Sequence, residues 1–223
     1  MHSGDEGEPV RGSSYVTIAY SSIRRLILSG EIPEGARVTV RPLAERLGLS
    51  PTPIRSALAA LEHQGLLEVH PHRGYFVPVL SRDDLLEIYE IRENIEGIAS
   101  RRAAQSPERA SVIARLEELL EQQIECVAAG RMEDYGDLDV EFHRVIWRSS
   151  DNKRLVSFSD MLLGQLRVGN NISMRMPKRV ADSLVEHRAI IEAIRAGDPV
   201  AAEHATREHV QGASAALANQ LEH

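Results

Sequence analysis

The second half of the chain carries one carboxylate and three histidines that could bind a metal ion. Asp139 and His143 stand four residues apart, which places them on one face of a helix. His187 and His209 fall on two later predicted helices. A carboxylate and three imidazoles that converge inside a bundle would suit zinc, nickel or manganese. Because spacing along the sequence cannot show that three helices meet, separate core or surface histidines are the alternative.

A second group of residues, near the N-terminus, could contact DNA. Two short helices are predicted at 41–47 and 51–64, with a turn at 48–50 between them. Thr52 and Arg55 lie at the start of the second helix, the end that faces base edges in a helix-turn-helix. A threonine hydroxyl suits a phosphate, and an arginine can donate two hydrogen bonds to guanine. An ordinary helical hairpin with a solvated, charged face would show the same spacing.

The elements around these two helices predict a winged helix-turn-helix domain over residues 15–78. A helix is predicted at 15–29, followed by a turn and a short strand at 36–40. The runs 66–69 and 75–78 are rich in strand-forming residues, and turn residues separate them. The order of helices and strands is that of a winged helix-turn-helix.

From Ser81 onward the pattern changes to helices alone. Ser81 is followed by Asp83 and Asp84, which is typical of a helix N-cap with acids in the first turn. Apolar residues then recur at three- and four-residue steps. Six helices are predicted, at 82–104, 107–129, 132–149, 152–174, 177–196 and 199–219. Their lengths favour an antiparallel all-α helical bundle over 79–220, so the predicted fold class is mainly α with a small β wing.

Charge and composition agree with these two halves. Residues 15–78 hold seven Arg and five Glu, a net charge of about +2, whereas residues 79–223 hold 18 basic and 25 acidic residues, a net charge of −7. A mildly basic domain can bind DNA because the local field at the phosphates determines affinity. The single Cys126 excludes an internal disulfide and fits a reducing compartment. No apolar run approaches the ~20 residues that span a bilayer, so a cytoplasmic location without membrane contact is expected.

Both ends of the chain are expected to lie outside the folded domains. Residues 1–14 are polar and acidic, have neither the basic start nor the apolar stretch of a signal peptide, and are expected to form a disordered arm. Residues 221–223 look like the remnant of an expression tag.

Residues 16–78 resemble the DNA-binding domain of the GntR family of bacterial transcription regulators. The segment 41–58, RPLAERLGLSPTPIRSAL, closely matches the family's usual pattern, and the segments LEHQGL at 61–66 and RGYFV at 73–77 match as well. The resemblance implies that Arg41, Thr52 and Arg55 contact operator DNA. It also implies that Gly74, at the tip of the wing, approaches the minor groove with Arg73 beside it.

Two positions depart from that pattern. Pro51 stands where many members carry an arginine, so one base or phosphate contact is expected to be missing. Ser56 replaces a residue that is commonly acidic. The operator sequence is therefore expected to differ from the usual consensus of the family.

Residues 82–219 are similar to the helical ligand-binding domain of the FadR-like subgroup, called FCD. The matching segments are Arg92-x-x-x-Glu96, Asp139-x-Glu141-Phe142-His143, Asn152-x-x-Leu155, Glu186-His187-x-x-Ile190, Gly197-Asp198 and Arg207-x-His209. In the metal-binding members the aspartate and three histidines are ligands, which implies a site at Asp139, His143, His187 and His209. His204 is expected to face elsewhere, since five residues turn a helix by roughly 140°.

The same resemblance implies a small organic acid as effector, bound at open coordination positions of the metal. Arg92 is a candidate cation for its carboxylate, with a salt bridge to Glu96 as the alternative role. Arg167, Asn170 and Arg175 are further candidates for lining the pocket. The aromatic residues Phe142 and Trp147 are expected to be core residues.

The function predicted from these features is that of a homodimeric, metabolite-responsive transcription regulator, a repressor in the usual manner of the family. Effector binding would tilt the bundle and move the recognition helices of the dimer off their half-sites on double-stranded operator DNA. A metalloenzyme acting on a small organic acid is the competing class, because a metal with an open position could activate water. No glutamate has an obvious place as general base, so the chain is expected not to be an enzyme.

Overall fold

The computed structural model describes the backbone of residues 11–168 and 176–220, and the side chains of residues 15–166 and 176–219. The chain divides into two compact units, Met1–Val79 and Leu80–His223. Within the described residues the structure is mainly helical, with one small sheet in the first unit, which confirms the predicted fold class.

The first unit contains three helices and a three-stranded antiparallel sheet. In chain order these elements are α1 (Arg11–Leu28), β1 (Arg37–Val38), α2 (Val40–Leu47), α3 (Pro51–His63), β2 (Glu68–His70) and β3 (Gly74–Phe76). The strand order is β1-β3-β2, with Val38 opposite Tyr75 and Val69 opposite Tyr75 from the other side. Ile23 of α1 and Ile54 and Leu58 of α3 are buried where α1 packs against α3, because helical spacing places these residues on the inner faces.

Several boundaries in this unit differ from the predictions. Helix α1 begins at Arg11, inside the segment predicted to be a disordered arm, and residues 1–10 lie outside the described residues. β1 is only two residues long because Val40 already belongs to α2. Leu66 and Leu67 are buried ahead of β2 and are not part of it. Ser50 occupies the predicted N-cap position of α3, but its side chain makes no capping hydrogen bond.

The second unit contains six helices that surround a shared core. They are α4 (Arg82–Ala104), α5 (Arg109–Ala128), α6 (Met132–Ser149), α7 (Lys153–Val168), α8 (Pro177–Ala196) and α9 (Pro199–Gln220). The core is built mainly of Leu, Ile, Val and Ala around Phe142 and Trp147, which are buried as expected. Helix α5 packs against α6, α8 packs against α9, and α4 packs along α9.

The helix boundaries follow the predicted punctuation closely. Ser81 caps α4 through a capping box with Asp84, as its position suggested. Helix α5 starts at Arg109, two residues later than predicted, because residues 106–108 form a turn with the hydrogen bond from the Arg109 amide to the Ser106 carbonyl. Residues 169–174 of the predicted fourth helix of the bundle, and the predicted tag remnant 221–223, lie outside the described residues. Among the described helices, none is both long enough and apolar enough to cross a membrane.

Candidate metal centre and DNA-reading surface

Three histidine side chains meet in the interior of the helical bundle. His143 comes from α6, His187 from α8 and His209 from α9, and all three are buried. One nitrogen atom from each lies within 4.8 Å of the other two. The Nε2 atoms of His143 and His209 are 3.2 Å apart. Three of the four predicted metal ligands are thus close enough for one ion.

Asp139, the fourth predicted ligand, lies at the edge of this group. It is one helical turn before His143 on α6, and its Oδ1 is 3.6 Å from Nε2 of His187. Burial raises the pKa of its carboxyl group, against the opposing influence of His143 and Arg92. The structure therefore places Asp139 beside His187, outside the close group that the three imidazoles form.

Carboxylates hold the outer nitrogens of two of the imidazoles. Nδ1 of His209 lies 2.7 Å from Oε2 of Glu186, which is the residue before His187 on α8. Nδ1 of His143 lies 2.9 Å from Oε2 of Glu96 on α4, although the two atoms are not aligned as a straight hydrogen bond. A carboxylate only accepts hydrogen bonds, so the position of Glu96 favours a proton on Nδ1 of His143. At His209 the 2.7 Å contact with Glu186 favours the same tautomer and outweighs the longer contact of Nδ1 with Nη2 of Arg179, at 3.3 Å.

A neutral amide holds the third imidazole. Nδ1 of His187 lies 2.9 Å from Oε1 of Gln123, which reaches in from α5 and is itself buried. The ring of His187 also stacks on Phe142, with 4.0 Å between ring centroids. This contact and the amide fix the plane of the ring and leave Nε2 as the nitrogen that a metal ion could bind.

The inner nitrogens of this cluster are suited to a cation. With the proton on Nδ1, each Nε2 carries a lone pair, and the lone pairs of His143 and His209 face each other. Nε2 of His187 is buried and has no hydrogen-bond partner among the described residues. Burial and the neighbouring imidazoles lower the pKa values of His187 and His209 well below the usual range, which disfavours protonation as the source of positive charge. The donor set fits a divalent transition metal.

Two arginines reinforce the carboxylates from the far side. Nε of Arg92 donates to Oε1 of Glu96 at 2.6 Å, and Nη1 of Arg179 donates to Oε1 of Glu186 at 2.8 Å. Burial opposes ionisation of Glu96, but Arg92 and His143 outweigh it and lower the pKa of that carboxyl group. The result is two chains of arginine, glutamate and histidine that converge on one point.

A small cavity of about 30 Å³ adjoins the histidines. Its polar lining includes Arg92, Arg179, Tyr135 and Ser183, and its apolar lining includes Leu163 and Leu166. Burial raises the pKa of Tyr135, and the neighbouring Asp139 adds to this effect, so the phenol keeps its proton. A cavity of this size holds about one water molecule, so a larger ligand requires the lining side chains to move.

The structure also shows where several other residues considered for the metal and effector site lie. Arg92 forms a salt bridge with Glu96 and also lines the cavity. Its position is therefore compatible with both roles considered for it, the salt bridge and contact with an effector carboxylate. His204 is exposed and pairs with Glu208 on the outside of α9, away from the cluster as expected. The side chains of Arg167, Asn170 and Arg175 lie outside the described residues.

Sequence spacing missed several residues of this site. Arg179 stands seven residues before Glu186 on α8, and Gln123 is on a different helix from the histidine that it contacts. No motif in the sequence singles out either residue. The one available signal was at Glu186 and Glu96, which belong to the matched segments. Glu96 was considered there only as a salt-bridge partner of Arg92, and Glu186 was given no role.

The predicted DNA-reading residues of α2 and α3 are exposed on the first unit. Thr52 and Arg55 lie in the first turns of α3, and Pro51 occupies its first position, where a missing N–H has no cost. Arg41, in the first turn of α2, pairs with Glu45 at 3.0 Å, and its side chain is 91% exposed. Arg41 and Arg55 line the same shallow surface groove.

The wing brings a further arginine to its tip. Arg73 and Gly74 lie at the turn between β2 and β3, and Gly74 has a φ of 94°, a conformation that favours glycine. The guanidinium of Arg37, on β1, lies 4.0 Å from the point where a side chain at Gly74 would begin. Arg37 was not among the predicted contacts, because only the antiparallel pairing of β1 with β3 brings it here.

Comparison with known proteins assigns the family. Residues 16–77 match the family described as bacterial regulatory proteins, gntR family, and residues 87–212 match the FCD domain. This chain belongs to the GntR family and carries an FCD domain. The resemblance noted in the sequence is therefore confirmed, and the families are those of transcriptional regulators and not of enzymes.

Individual relatives of this GntR-family chain agree with the assignment. It is 35% identical to the "Probable D-xylose utilization operon transcriptional repressor" of Paenarthrobacter nicotinovorans, over 82% of this chain and 80% of that protein. It is 27% identical to the transcriptional repressor RspR of Escherichia coli, over 86% of this chain and 84% of the relative. Among solved structures, E. coli McbR/YncC superimposes with a TM-score of 0.79 at 26% identity, covering 93% of this chain and 98% of that one. The chain is thus a transcriptional regulator of this family.

Proposed function

We propose that this GntR-family regulator is a cytoplasmic, homodimeric repressor that releases its operator when a small carboxylate binds at a metal ion in the FCD domain. Two of its relatives are named as transcriptional repressors, which supports the direction of regulation. Arg41, Thr52 and Arg55 contact the major groove and its phosphates, and Arg73 and Gly74 place the wing on the minor groove. Exposure of Arg41 and Arg55 on one groove supports this role.

The convergence of one ring nitrogen from each of three buried histidines is the observation that carries the metal assignment. His143, His187 and His209 hold a divalent ion, and Asp139, at 3.6 Å from His187, supplies the carboxylate ligand. Imidazole and carboxylate donors suit zinc, nickel or manganese. The bound metal supplies a positive centre that polarises and holds a carboxylate oxygen.

The protein's own residues orient the effector around that centre. Arg92 and Arg179 present two guanidinium groups to the cavity, and Tyr135 and Ser183 add hydroxyl groups. Since the cavity holds about one water molecule, an effector of several heavy atoms displaces lining side chains when it enters. Binding is therefore coupled to a change in helix packing. An effector that prefers one arrangement by a factor of ~100 shifts the equilibrium by about 2.7 kcal/mol.

Metal analysis and thermal stability measurements test this proposal together. We expect purified protein to hold about one divalent ion per chain. We also expect some members of a panel of carboxylic acids to raise its melting temperature, and to do so only when no chelator is present. D-xylose joins the panel because of the name of one relative.

Matched histidine variants provide the control for this experiment. We expect His187→Gln to lose the metal and the response to acids, whereas His204→Gln, on the exposed side of α9, keeps both. If chelation changes neither the melting temperature nor the response to acids, the metal assignment is wrong.

A further inference from the structure

The shallow groove between α2 and the start of α3 combines cationic and apolar side chains. Arg41 and Arg55 line it, and both side chains are exposed. Glu45 lines it as well, but its carboxylate pairs with Arg41 at 3.0 Å, so the two charges offset each other. The rest of the lining is apolar and consists of Val40, Ala44, Leu49 and Pro51.

The turn between the two helices brings Pro51 to this groove. Helix α2 ends at Leu47, and the amide of Leu49 donates to the carbonyl oxygen of Ala44 at 3.1 Å. Pro51 then begins α3, where its missing N–H has no cost, and it is exposed. Arg55 follows four residues later and therefore lies on the same face of α3 as Pro51.

The exposed face of α3 holds three kinds of side chain that could meet a base. Arg55 is the one arginine or lysine among residues 51–63, and Thr52 and Ser56 carry hydroxyl groups. Pro51 differs from all of these, because its side chain has no hydrogen-bond donor or acceptor and its nitrogen carries no hydrogen. Pro51 can therefore recognise a base only through apolar contact.

The major-groove edge of unmodified DNA offers one apolar group, the 5-methyl group of thymine. From the position of Pro51 we infer that it contacts the methyl group of a thymine in each half-site of the operator, beside the base that Arg55 reads. Residues four apart are separated by about 6 Å along a helix, and successive base pairs by about 3.4 Å. The thymine therefore lies within about two base pairs of the base bound by Arg55.

The charges of the groove favour DNA over an apolar protein segment as its occupant. Burying Arg55 under an apolar segment would take its charge out of water, which costs free energy. Operator DNA instead offers a guanine edge to Arg55 and phosphates to Arg41 and Thr52. The apolar lining then meets the methyl group while the guanidinium groups keep their hydrogen-bond acceptors.

This inference specifies which base the DNA-reading surface of the proposed function selects, and it rests on that proposal. Two steps with the full chain test it. Selection of bound duplexes from a random DNA pool gives the half-site. Each thymine of one half-site is then replaced in turn by deoxyuridine, which has the same hydrogen-bonding edge and lacks only the methyl group. Fluorescence anisotropy at fixed salt measures the affinities.

The wild type should show one methyl-sensitive thymine in each half-site. At that position deoxyuridine should lower the affinity by about fourfold, which corresponds to one buried methyl group. The position should lie within about two base pairs of a base whose preference is lost in Arg55→Ala. At the same position, 5-methylcytosine should bind about fourfold more tightly than cytosine, because these two bases also differ only in the methyl group.

A matched pair of variants assigns the effect to Pro51. Pro51→Ser removes the apolar ring, so thymine and deoxyuridine should bind equally at the methyl-sensitive position. Pro42→Ser is the control, because Pro42 is exposed in the first turn of α2 but lies outside the residues that line the groove. It should keep the fourfold difference. Circular dichroism should show the same helix content in both variants.

The outcomes separate this inference from the proposed function. A half-site without a methyl-sensitive thymine would overturn the contact of Pro51 and leave operator binding by Arg55 standing. A fourfold effect that persists in Pro51→Ser would assign the methyl contact to another residue and would also overturn the inference. A pool from which the wild type enriches no sequence would contradict the DNA-reading role itself.

Discussion

The Nε2 atoms of His143 and His209 lie 3.2 Å apart in the interior of the FCD domain. In each of these two imidazole rings the other nitrogen atom, Nδ1, lies against a glutamate carboxylate. Two lone pairs at this separation repel each other unless a cation or a proton lies between them. Burial disfavours the doubly protonated form of His209, and the metal ion proposed for this site would relieve the repulsion. The predictions about the FCD domain follow from this relationship.

Removing the amide behind His187 should weaken metal binding without removing a ligand. Gln123→Leu leaves Nδ1 of His187 without its acceptor and frees the ring to rotate. Loss of such an outer partner typically reduces metal affinity by about 10–100-fold. Competition with a chromophoric chelator measures the affinity. The matched control is Gln122→Leu, because the Gln122 amide donates to the exposed Glu118 of the same helix. Equal affinities of the two variants would show that Gln123 does not position the histidine.

Arg55 should be required for specific DNA binding but not for folding. Its side chain is exposed at the start of α3, so replacement by alanine removes no core contact. We expect Arg55→Ala to lower the affinity for specific operator DNA by about tenfold or more, as measured by gel-shift titrations at fixed salt. The melting temperature should stay within about 1 °C of the wild type. Arg25→Ala, at an exposed arginine in the last turn of α1, is the control and should bind the operator normally. Unchanged operator affinity in Arg55→Ala would rule out the predicted contact.

Ser81 should stabilise the second unit as the N-cap of α4. Its hydroxyl accepts from the amide of Asp84, and Oδ2 of Asp84 accepts from the amide of Ser81 at 2.8 Å. Ser81→Ala removes one half of this reciprocal pair and should cost about 0.5–2 kcal/mol in the free energy of unfolding. Urea titration followed by circular dichroism measures it. Ser157→Ala, in the middle of α7 and exposed, should be neutral or slightly stabilising. Equal losses in both variants would contradict a specific capping role.

The helices of the second unit could be predicted because local chemistry determines where they begin and end. Ser81 begins α4, and Gly197 ends α8 in a left-handed conformation. Both ends can be predicted from the neighbouring residues alone. The strands of the wing were less predictable. β1 is cut short by α2, and β2 begins two residues later than the apolar pattern indicated, because pairing with β3 selects the register.

The functional site shows the same division between local and long-range information. Asp139 and His143 could be paired from spacing, since both belong to α6. Gln123 and Arg179 could not be found, because their relation to the histidines depends on how α5, α8 and α9 pack. That packing is set by the whole apolar core, and no local motif reports it. The position of Arg37 near the wing tip could not be predicted for a similar reason, since strand pairing alone brings it to Gly74.

Metal-free protein should lose stability as the pH falls below about 6.5. Burial lowers the pKa values of His187 and His209 in the folded state well below the ordinary value of about 6.5. Below that pH the unfolded chain takes up protons at these two residues while the folded protein does not, so protonation favours unfolding. The stability that they contribute is present above pH 6.5 and is lost as the pH falls toward their folded-state pKa values. Each residue changes the free energy of unfolding by up to about 1.4 kcal/mol per pH unit in this window.

Comparison of variants isolates this effect from other titrating groups. Asp139 acts in the opposite direction, because burial raises its pKa and its protonation favours the folded state as the pH falls. We therefore expect chelated His187→Gln to show a shallower fall in stability between pH 7 and pH 5.5 than the chelated wild type, by about one proton's contribution. His204→Gln should match the wild type, because His204 is exposed. Urea titrations at several pH values, in the presence of chelator, measure the slopes. Parallel slopes for His187→Gln and the wild type would mean that His187 titrates equally in the folded and unfolded states, and the lone-pair argument for the metal would then lose its basis.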